Sequence, residues 1–170
     1  MIEYIATAFQ QAGHEPVVAA SSRTPMTQNW CRANGISLCK TEGRGFIEDM
    51  IEAIRILEEK DPVFITVSDI PGITAPIISS ILTAYNQGTK EALSTWIPAT
   101  MIRSDRRGMP YRREIDHVEA CPAGINILRG DRIHEPQDEL TLLLHEPRLA
   151  LNVNTPADRI LAESTLKITG

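Results

Sequence analysis

The chain alternates between stretches with apolar residues at helical spacing and short, nearly continuous apolar runs. In GRGFIEDMIEAIRILEEK the apolar side chains recur every three or four residues, which predicts a helix with one apolar face. The runs PVVAASS, ISLCKT and VFITVS are short and rich in β-branched residues, as is typical of strands covered on both faces. The first half therefore predicts helix, strand, helix, strand, helix, strand and helix, in that order.

This alternation predicts an α/β fold of the Rossmann-like kind, with helices on both faces of a mainly parallel sheet. The second half changes character: ALSTWIPATMI, PAGINILRGD and ELTLLLHEPRLALNVNT each favour a strand, and RSDRRGMPYRREID is a basic, turn-forming segment. We expect a small α+β insertion here. No repeat or linker interrupts the chain, so residues 1–170 are expected to form a single domain.

The last apolar stretch, TPADRILAESTLK, carries a helix start signal. Thr155 is in the N-cap position, Pro156 is the first helical residue, and Asp158 completes an acidic capping box. These three residues predict a C-terminal helix that begins at Pro156.

Composition narrows the class of protein. The 170 residues are 42% hydrophobic and 23% charged, with a net charge of −5, so non-specific nucleic-acid binding by the whole chain is not expected. No apolar stretch is long enough to span a bilayer, and the first residues lack the pattern of a signal peptide. We expect a cytoplasmic protein whose odd set of cysteines, Cys31, Cys39 and Cys121, stays reduced.

Candidate chemistry lies where the predicted strands end. VFITVSDIPG places Asp69 directly after a buried strand, at the sheet edge where open α/β folds bind ligands. A carboxylate there suits Mg²⁺, which takes one or two protein oxygens together with substrate phosphates. The alternative is that Asp69 only caps the turn before Pro71 and Gly72. The scattered histidines, in contrast, show neither zinc spacing nor a catalytic triad.

Three further segments allow two interpretations each. The backbone N–H groups of Gly43 to Gly45 either approach an anion at a helix N-terminus or form a tight turn. Asn152 and Asn154 share one side of an extended chain, where they either orient phosphate or metal or cap the next helix. The arginines of segment 103–113 either grip an anionic acceptor or form a solvated loop.

Taken together, SSRTPMT, TEGRGFIEDMIEAI, PVFITVSDIPGIT, PAGINIL and LALNVNTPADRILAE resemble the archaeal GTP:adenosylcobinamide-phosphate guanylyltransferases of the MobA-like nucleotidyltransferase superfamily. The similarity covers nearly the whole chain and is weakest in RSDRRGMPYRRE. The resemblance implies transfer of GMP from GTP to adenosylcobinamide-phosphate, with release of pyrophosphate, in cobalamin biosynthesis. It also implies a Mg²⁺ cofactor, no nucleic-acid partner and no membrane span, and a homodimer is possible.

The resemblance also implies roles for particular residues. Asp69 and Asn154 are the implied catalytic and metal-binding residues. The implied nucleotide-binding residues are Ser21, Ser22, Gly43, Arg44, Gly45, Ser68, Asp69, Pro122, Ala123, Gly124, Asn126 and Asn152.

The start of the chain departs from the family pattern. Members begin with a strand and a glycine-rich loop of the type A-G-G-x-G-T-R-M, whereas Met1 to Tyr4 of this chain match the helix that follows that loop. We therefore expect a domain truncated at its N-terminus, with exposed strand edges. A longer native protein, a rearranged or dimeric remnant, and a partner that adds a strand are the alternatives.

Two alternatives to guanylyl transfer onto cobinamide phosphate stay open at this point. One is a catalytically incomplete nucleotide-binding or interaction module. The other is a related nucleotidyltransferase that acts on molybdopterin or a sugar phosphate.

Overall fold

The computed structural model describes residues 1–102 and 111–168, and the side chains up to residue 166. The five helices in this part of the chain are α1 (Ile2–Gln11), α2 (Pro25–Ala33), α3 (Phe46–Ile56), α4 (Ala75–Gln87) and α5 (Pro156–Ile168). The strands are β1 (Val17–Ser21), β2 (Ser37–Thr41), β3 (Pro62–Thr66), β4 (Ala92–Pro98), β5 (Arg113–Ile115), β6 (Val118–Arg129) and β7 (Glu139–Leu143). The order of elements predicted for the first half is confirmed.

The strands form two separate sheets. β1 pairs with β2 in parallel, and the larger sheet has the order β3-β6-β4-β7, with β5 on β6. The α/β class and the Rossmann-like architecture are confirmed, but the larger sheet is mixed. β6 runs antiparallel to its neighbours because a tight β5–β6 hairpin, with positive φ at Asp116 and His117, reverses the chain before β6 enters the sheet.

β6 is longer than the sequence pattern indicates. The predicted strand in PAGINILRGD corresponds to residues 122–129, the last two thirds of this 12-residue strand. Most of the basic segment, residues 103–110, lies outside the described residues. Of its described arginines, Arg112 forms an ion pair with Glu119 at 2.8 Å, and Arg113 lies over the Trp96 ring at 5.2 Å.

The main core lies between the larger sheet and helices α1 and α4. Its fully buried side chains include Ile70, Ile78, Ile81, Leu93, Ile97, Ile125 and Ile127. Full burial of an aliphatic side chain contributes about 1.5–3 kcal/mol, so this cluster fixes α4 and the loop before it against the sheet. The loop before α4 carries Asp69, and the core therefore positions the candidate site.

Two expectations from composition can be compared with the structure. Cys31, Cys39 and Cys121 are free thiols, and all three are buried. In the described part of the chain, no helix has the length and hydrophobicity needed to cross a membrane.

Candidate functional site

Asp69 lies in the β3–α4 loop, at the carboxyl end of β3. Two apolar residues of this loop, Ile70 and Ile73, are buried, with only 2% and 3% of their surface exposed. They flank the Pro71-Gly72 turn and anchor the loop in the core. The aspartate is therefore carried on a fixed backbone, as the sequence pattern predicted.

One carboxylate oxygen of Asp69 has an unusual environment. Oδ1 is buried, and no hydrogen-bond donor among the described residues contacts it. A buried polar atom without a partner costs free energy, more so when it carries charge, unless a ligand supplies the missing contact. Oδ1 caps no turn, so the capping interpretation gains no support from this atom. It suits a cation instead.

The segment that contains both asparagines is locked onto the Asp69 loop. The backbone N–H of Val153 donates to the backbone carbonyl of Asp69 at 2.8 Å. A Cβ added to Gly72 would lie only 2.1 Å from the carbonyl oxygen of Arg148, so the two segments meet at a glycine. Sequence reasoning missed this backbone contact, because no side-chain pattern reports it.

Asn152 and Asn154 lie on one side of their extended segment, as their spacing predicted. The Asn154 amide donates to Oδ1 of Asn152. The cap of α5 is formed by other residues: the Thr155 N–H donates to the Asp158 carboxylate at 2.9 Å, and the Asp158 N–H donates to the Thr155 hydroxyl at 3.2 Å. The capping box is therefore confirmed. The asparagine side chains are not required for the cap, although the Asn154 N–H also donates to Asp158.

The loops after β1 and β2 contact each other. A Cβ on Gly43, whose φ is +77°, would lie 2.7 Å from the Ser21 hydroxyl oxygen. Ser21 is buried and Ser22 is exposed in the turn that follows β1. Ser21 at the end of β1 and Gly43 in the β2–α3 loop are therefore in close contact. Gly45 immediately precedes α3.

The N–H groups of the β2–α3 loop already have a partner within the chain. Gly43 and Arg44 both donate to Oδ1 of Asp49, at 2.9 and 3.1 Å. The Arg44 guanidinium forms ion pairs with Glu42 and Glu52. An external anion reaches these two N–H groups only by displacing the Asp49 carboxylate. The acid in the first turn of α3 was the available sequence signal for this contact.

The candidate residues on β6 divide into two groups. Gly124 lies against Val67, two residues before Asp69, and its carbonyl accepts from the Val67 N–H at 3.1 Å. Ala123 beside it is buried, and Pro122 is opposite Trp96 on β4.

Asn126 lies farther from the Asp69 loop than Gly124 does. It is in the middle of the sheet, between Ile65 and Ser94. Ile65, its partner on β3, precedes Asp69 by four residues, and the strand ends at Thr66 between them. Ser68, in contrast, is exposed directly beside Asp69.

A metal at this site depends on few protein ligands. No group of three or more His, Cys, Asp or Glu side chains arranged to bind a metal occurs within the described ranges. Asp69 with amide oxygens nearby nevertheless fits Mg²⁺, which commonly takes one or two carboxylates and completes its shell with water and phosphate oxygens.

The structure and the sequence are both similar to known proteins. The structure is similar to CMP:2-keto-3-deoxy-manno-octonic acid synthetase complexed with CTP, with 15% identity, a TM-score of 0.72, and coverage of 99% of this chain and 88% of that one. It is also similar to 4-diphosphocytidyl-2C-methyl-D-erythritol synthase, with 12% identity, a TM-score of 0.69, and 97% and 87% coverage.

A hypothetical transferase from Thermus thermophilus is a third similar structure, with 12% identity, a TM-score of 0.68, and 93% and 85% coverage. At these identities the three comparisons show the fold. No curated protein sequence is significantly similar to the chain. Residues 1–126 match the MobA-like NTP transferase domain, and the chain therefore belongs to the MobA-like nucleotidyltransferase family.

Proposed function

We propose that the protein transfers GMP from GTP to a phosphorylated acceptor, adenosylcobinamide-phosphate, and that Asp69 is its central catalytic residue. The observation that carries the proposal is the buried Oδ1 of Asp69, which has no donor among the described residues. Asp69 follows the carboxyl end of β3, and its backbone carbonyl accepts from the N–H of Val153, the residue between Asn152 and Asn154. Guanine and the cobinamide acceptor rest on the sequence resemblance, and nucleotide transfer rests on the family.

The chemistry requires alignment more than proton transfer. An oxygen of the acceptor phosphate attacks the α-phosphorus of GTP, and the bond from that phosphorus to the bridging oxygen of the β-phosphate breaks. Pyrophosphate leaves with the bonding electrons. Because the acceptor oxygen is already anionic near neutral pH, the site needs no strong general base. Holding the two phosphates in line supplies much of the rate enhancement in such reactions.

In this proposal each part of the site has one task. Asp69 and the oxygen of Asn154 would hold Mg²⁺, which when bound neutralises charge on the triphosphate. Asn152 orients Asn154 through their hydrogen bond. Ser21, Ser22 and the Gly43 to Gly45 loop would face the base and ribose, and Gly124 with Ala123 would line the acceptor side.

The test compares the native chain with Asp69→Asn, which keeps the size of the side chain and removes its charge. Transfer of label from α-labelled GTP to adenosylcobinamide-phosphate is measured with Mg²⁺, and CTP, ATP and UTP are tested in parallel. We expect activity to fall by about 10²-fold or more, as for loss of one pre-organised charge-stabilising group. The Val153 hydrogen bond uses the Asp69 backbone, so the unfolding midpoint should change little.

Asp138→Asn is the matched control. Asp138 is exposed, pairs with Lys90 at 2.6 Å, and precedes β7 at the opposite end of the sheet. Its substitution should leave transfer unchanged. Undiminished transfer by Asp69→Asn would contradict the role given to Asp69. Transfer to molybdopterin or a sugar phosphate, but not to the cobinamide acceptor, would correct the acceptor and keep the reaction class.

A second candidate is a nucleotide-binding or interaction module without transferase activity. The observation in its favour is that Asp49 already occupies the N–H groups of Gly43 and Arg44, which leaves fewer donors for a nucleotide. Calorimetry separates the two. Binding of Mg²⁺ and GTP without transfer to any of the three acceptor classes would favour the binding module.

A further inference from the structure

β3 and β5 lie along the same edge of β6. Ala120 pairs with Pro98 of β4 and with Arg113 of β5. Because a strand residue has one neighbour on each side, β4 and β5 lie on opposite edges of β6. Ile127 likewise lies between β4 and β3. The edge of β6 that faces away from β4 is therefore shared by β3 and β5.

A gap opposite residues 121–124 of β6 separates β3 from β5 on this edge. β3 pairs with residues 125–129 and β5 with residues 118–120, so among the described residues no strand pairs with the four between them on that side. The carboxyl end of β3 lies at one end of the gap, where the Val67 N–H donates to the Gly124 carbonyl at 3.1 Å. After Val67 the chain enters the loop that carries Asp69.

Tyr111 lies at the other end of the gap. Because β5 runs away from the gap, the residues that precede β5 extend towards it. The Tyr111 ring lies 5.9 Å from the ring of Trp96, which is the β4 partner of Pro122, an exposed residue of the gap. The loop after β3 and Tyr111 therefore flank Ala123 and Gly124, which line the acceptor side in the proposed function.

The ring of Tyr111 is exposed on one face and supported on the other. Tyr111 is 67% exposed, whereas Trp96 behind it is only 5% exposed. The Trp96 indole N–H donates to the Ser94 hydroxyl at 2.9 Å. The Arg113 guanidinium lies over the Trp96 ring, 5.2 Å from its centroid, and donates to the Thr141 hydroxyl at 3.1 Å. An exposed ring supported by a fixed one offers a stacking surface at low cost in side-chain entropy.

The two arginines next to Tyr111 make different contacts. Arg113 is two residues from Tyr111 and contacts the same tryptophan, whereas Arg112, between them, forms an ion pair with Glu119 at 2.8 Å. Arg113 reaches a carboxylate, that of Glu139, only at 4.0 Å. For the described end of the basic segment, the structure therefore adds an aromatic surface to the two interpretations that the sequence left open.

We propose that the gap is the acceptor subsite of the transferase and that a flat ring system of the acceptor stacks on Tyr111. Arg113 is a positioning residue, because it holds the Trp96 ring against which Tyr111 lies. The acceptor phosphate lies at the Asp69 end of the gap and the ring system at the other end. This inference rests on the nucleotide transfer proposed above and adds the residue that selects the acceptor.

The inference restricts the chemical class of the acceptor. Adenosylcobinamide-phosphate and molybdopterin both join a phosphate to a broad, largely flat ring system, and a sugar phosphate lacks one. Stacking on an aromatic side chain tolerates different ring systems, since each has a π face. Tyr111 therefore favours the first two acceptor classes over the third.

The first test measures kcat, the KM for GTP and the KM for adenosylcobinamide-phosphate in Tyr111→Ala and Tyr111→Phe. We expect the acceptor KM to rise at least about fivefold in Tyr111→Ala, as for the loss of one stacking ring. Tyr111→Phe keeps the ring and should behave like the native chain. The other two constants should not change, because the ring touches neither GTP nor the reacting atoms. An unchanged acceptor KM in Tyr111→Ala would overturn the inference.

The neighbouring arginines separate stacking from charge. Arg113→Lys keeps the charge but loses the planar group over Trp96, so the acceptor KM should rise while kcat stays the same. Arg112→Ala removes a charge from the same segment without touching Trp96, and it should leave all three constants unchanged. Equal increases of the acceptor KM in the two variants would mean that charge binds the acceptor, which would contradict the role of the ring.

Acceptor binding without nucleotide separates this inference from the proposed function. Equilibrium dialysis of adenosylcobinamide-phosphate and of molybdopterin compares the native chain with Tyr111→Ala, and a sugar phosphate is the control without a ring. Binding of either ring compound that depends on Tyr111, in a chain that transfers no nucleotide, would support the subsite and contradict only the proposed function. Transfer that depends on Asp69 but not on Tyr111, or no binding of either ring compound, would overturn the subsite.

Discussion

At the scale of single residues, Gly72 is the position where the Asp69 loop packs against the backbone of Arg148. Any side chain at this position would collide with the backbone carbonyl of Arg148, since a Cβ would come within 2.1 Å of that oxygen. Backbone cannot move aside as a flexible side chain can. We therefore expect Gly72→Ala to lower the free energy of unfolding by about 1–3 kcal/mol.

Urea denaturation measures the effect of Gly72→Ala, with Gly88→Ala as the control. The nearest atoms to a Cβ on Gly88 are 3.4 Å away, so the control should change stability little. Equal stability of the two variants would show that the loops do not meet as described. If the close contact is present, nucleotide transfer should fall in Gly72→Ala as well, because Asp69 moves with its loop.

Because two thiols are buried, we expect the free energy of unfolding to change with pH in the alkaline range. Burial raises the pKa of Cys31 and of Cys39, and the nearby Glu52 carboxylate raises the pKa of Cys39 further. The folded state therefore keeps protons that the unfolded state releases above the usual thiol pKa of about 8.5. Their contribution to stability is complete below that pH and is lost as pH rises through the higher folded-state values.

The measurement is urea unfolding between about pH 7 and pH 10. The native chain should lose stability above about pH 8.5, and the double variant Cys31→Ala, Cys39→Ala should lose it with a shallower slope. The variant is also less stable at every pH because it leaves cavities, so the slope is the informative quantity. Identical slopes would mean that the thiols do not contribute.

The C-terminal helix provides a prediction at the scale of an element. Thr155 and Asp158 satisfy each other's backbone N–H groups at the start of α5. Thr155→Ala removes one of these bonds and should cost about 1 kcal/mol of unfolding free energy. Thr83→Ala, an exposed threonine within α4, is the control and should change stability by less than about 0.5 kcal/mol.

Calorimetric or chemical unfolding of both threonine variants measures the difference between the cap and an ordinary helical position. A cost for Thr155→Ala no larger than that for Thr83→Ala would contradict the capping box. α5 follows the Asn152–Asn154 pair directly, so fraying of its first turn should also loosen the candidate site.

At the scale of the whole molecule, the separation into two sheets leads us to expect association between copies of the chain. Within residues 1–102 and 111–168, the facing edges of β1 and β3 have no strand partner, and Val17 and Phe46 are exposed. We expect this chain to self-associate with rising concentration, because unpaired edges and apolar surface both favour contact between copies. Sedimentation or light scattering over a range of concentrations measures the mass.

Val17→Lys should weaken this association, since a lysine on an edge strand disfavours further pairing. Met26→Lys, which adds the same charge on α2, should not weaken it. A strictly monomeric chain at all concentrations, or equal effects of the two lysines, would contradict the prediction.

The sequence by itself determined the features that depend on neighbouring residues. Apolar periodicity gave the alternation of helices and strands, Thr155 and Asp158 gave the cap of α5, and the end of an apolar run placed Asp69 at a strand terminus. Each of these is a local property, because helical hydrogen bonds, caps and strand ends involve residues close in the chain.

Only the tertiary structure decided which distant segments meet. It placed β6 antiparallel within the sheet. It also showed that the N–H groups of Gly43 and Arg44 donate to Asp49, and that the Val153 N–H donates to the Asp69 carbonyl. It opened a groove between β1 and β3 as well. Strand pairing and backbone contacts across the sheet depend on topology, and many sequences with the same local pattern are compatible with several pairings.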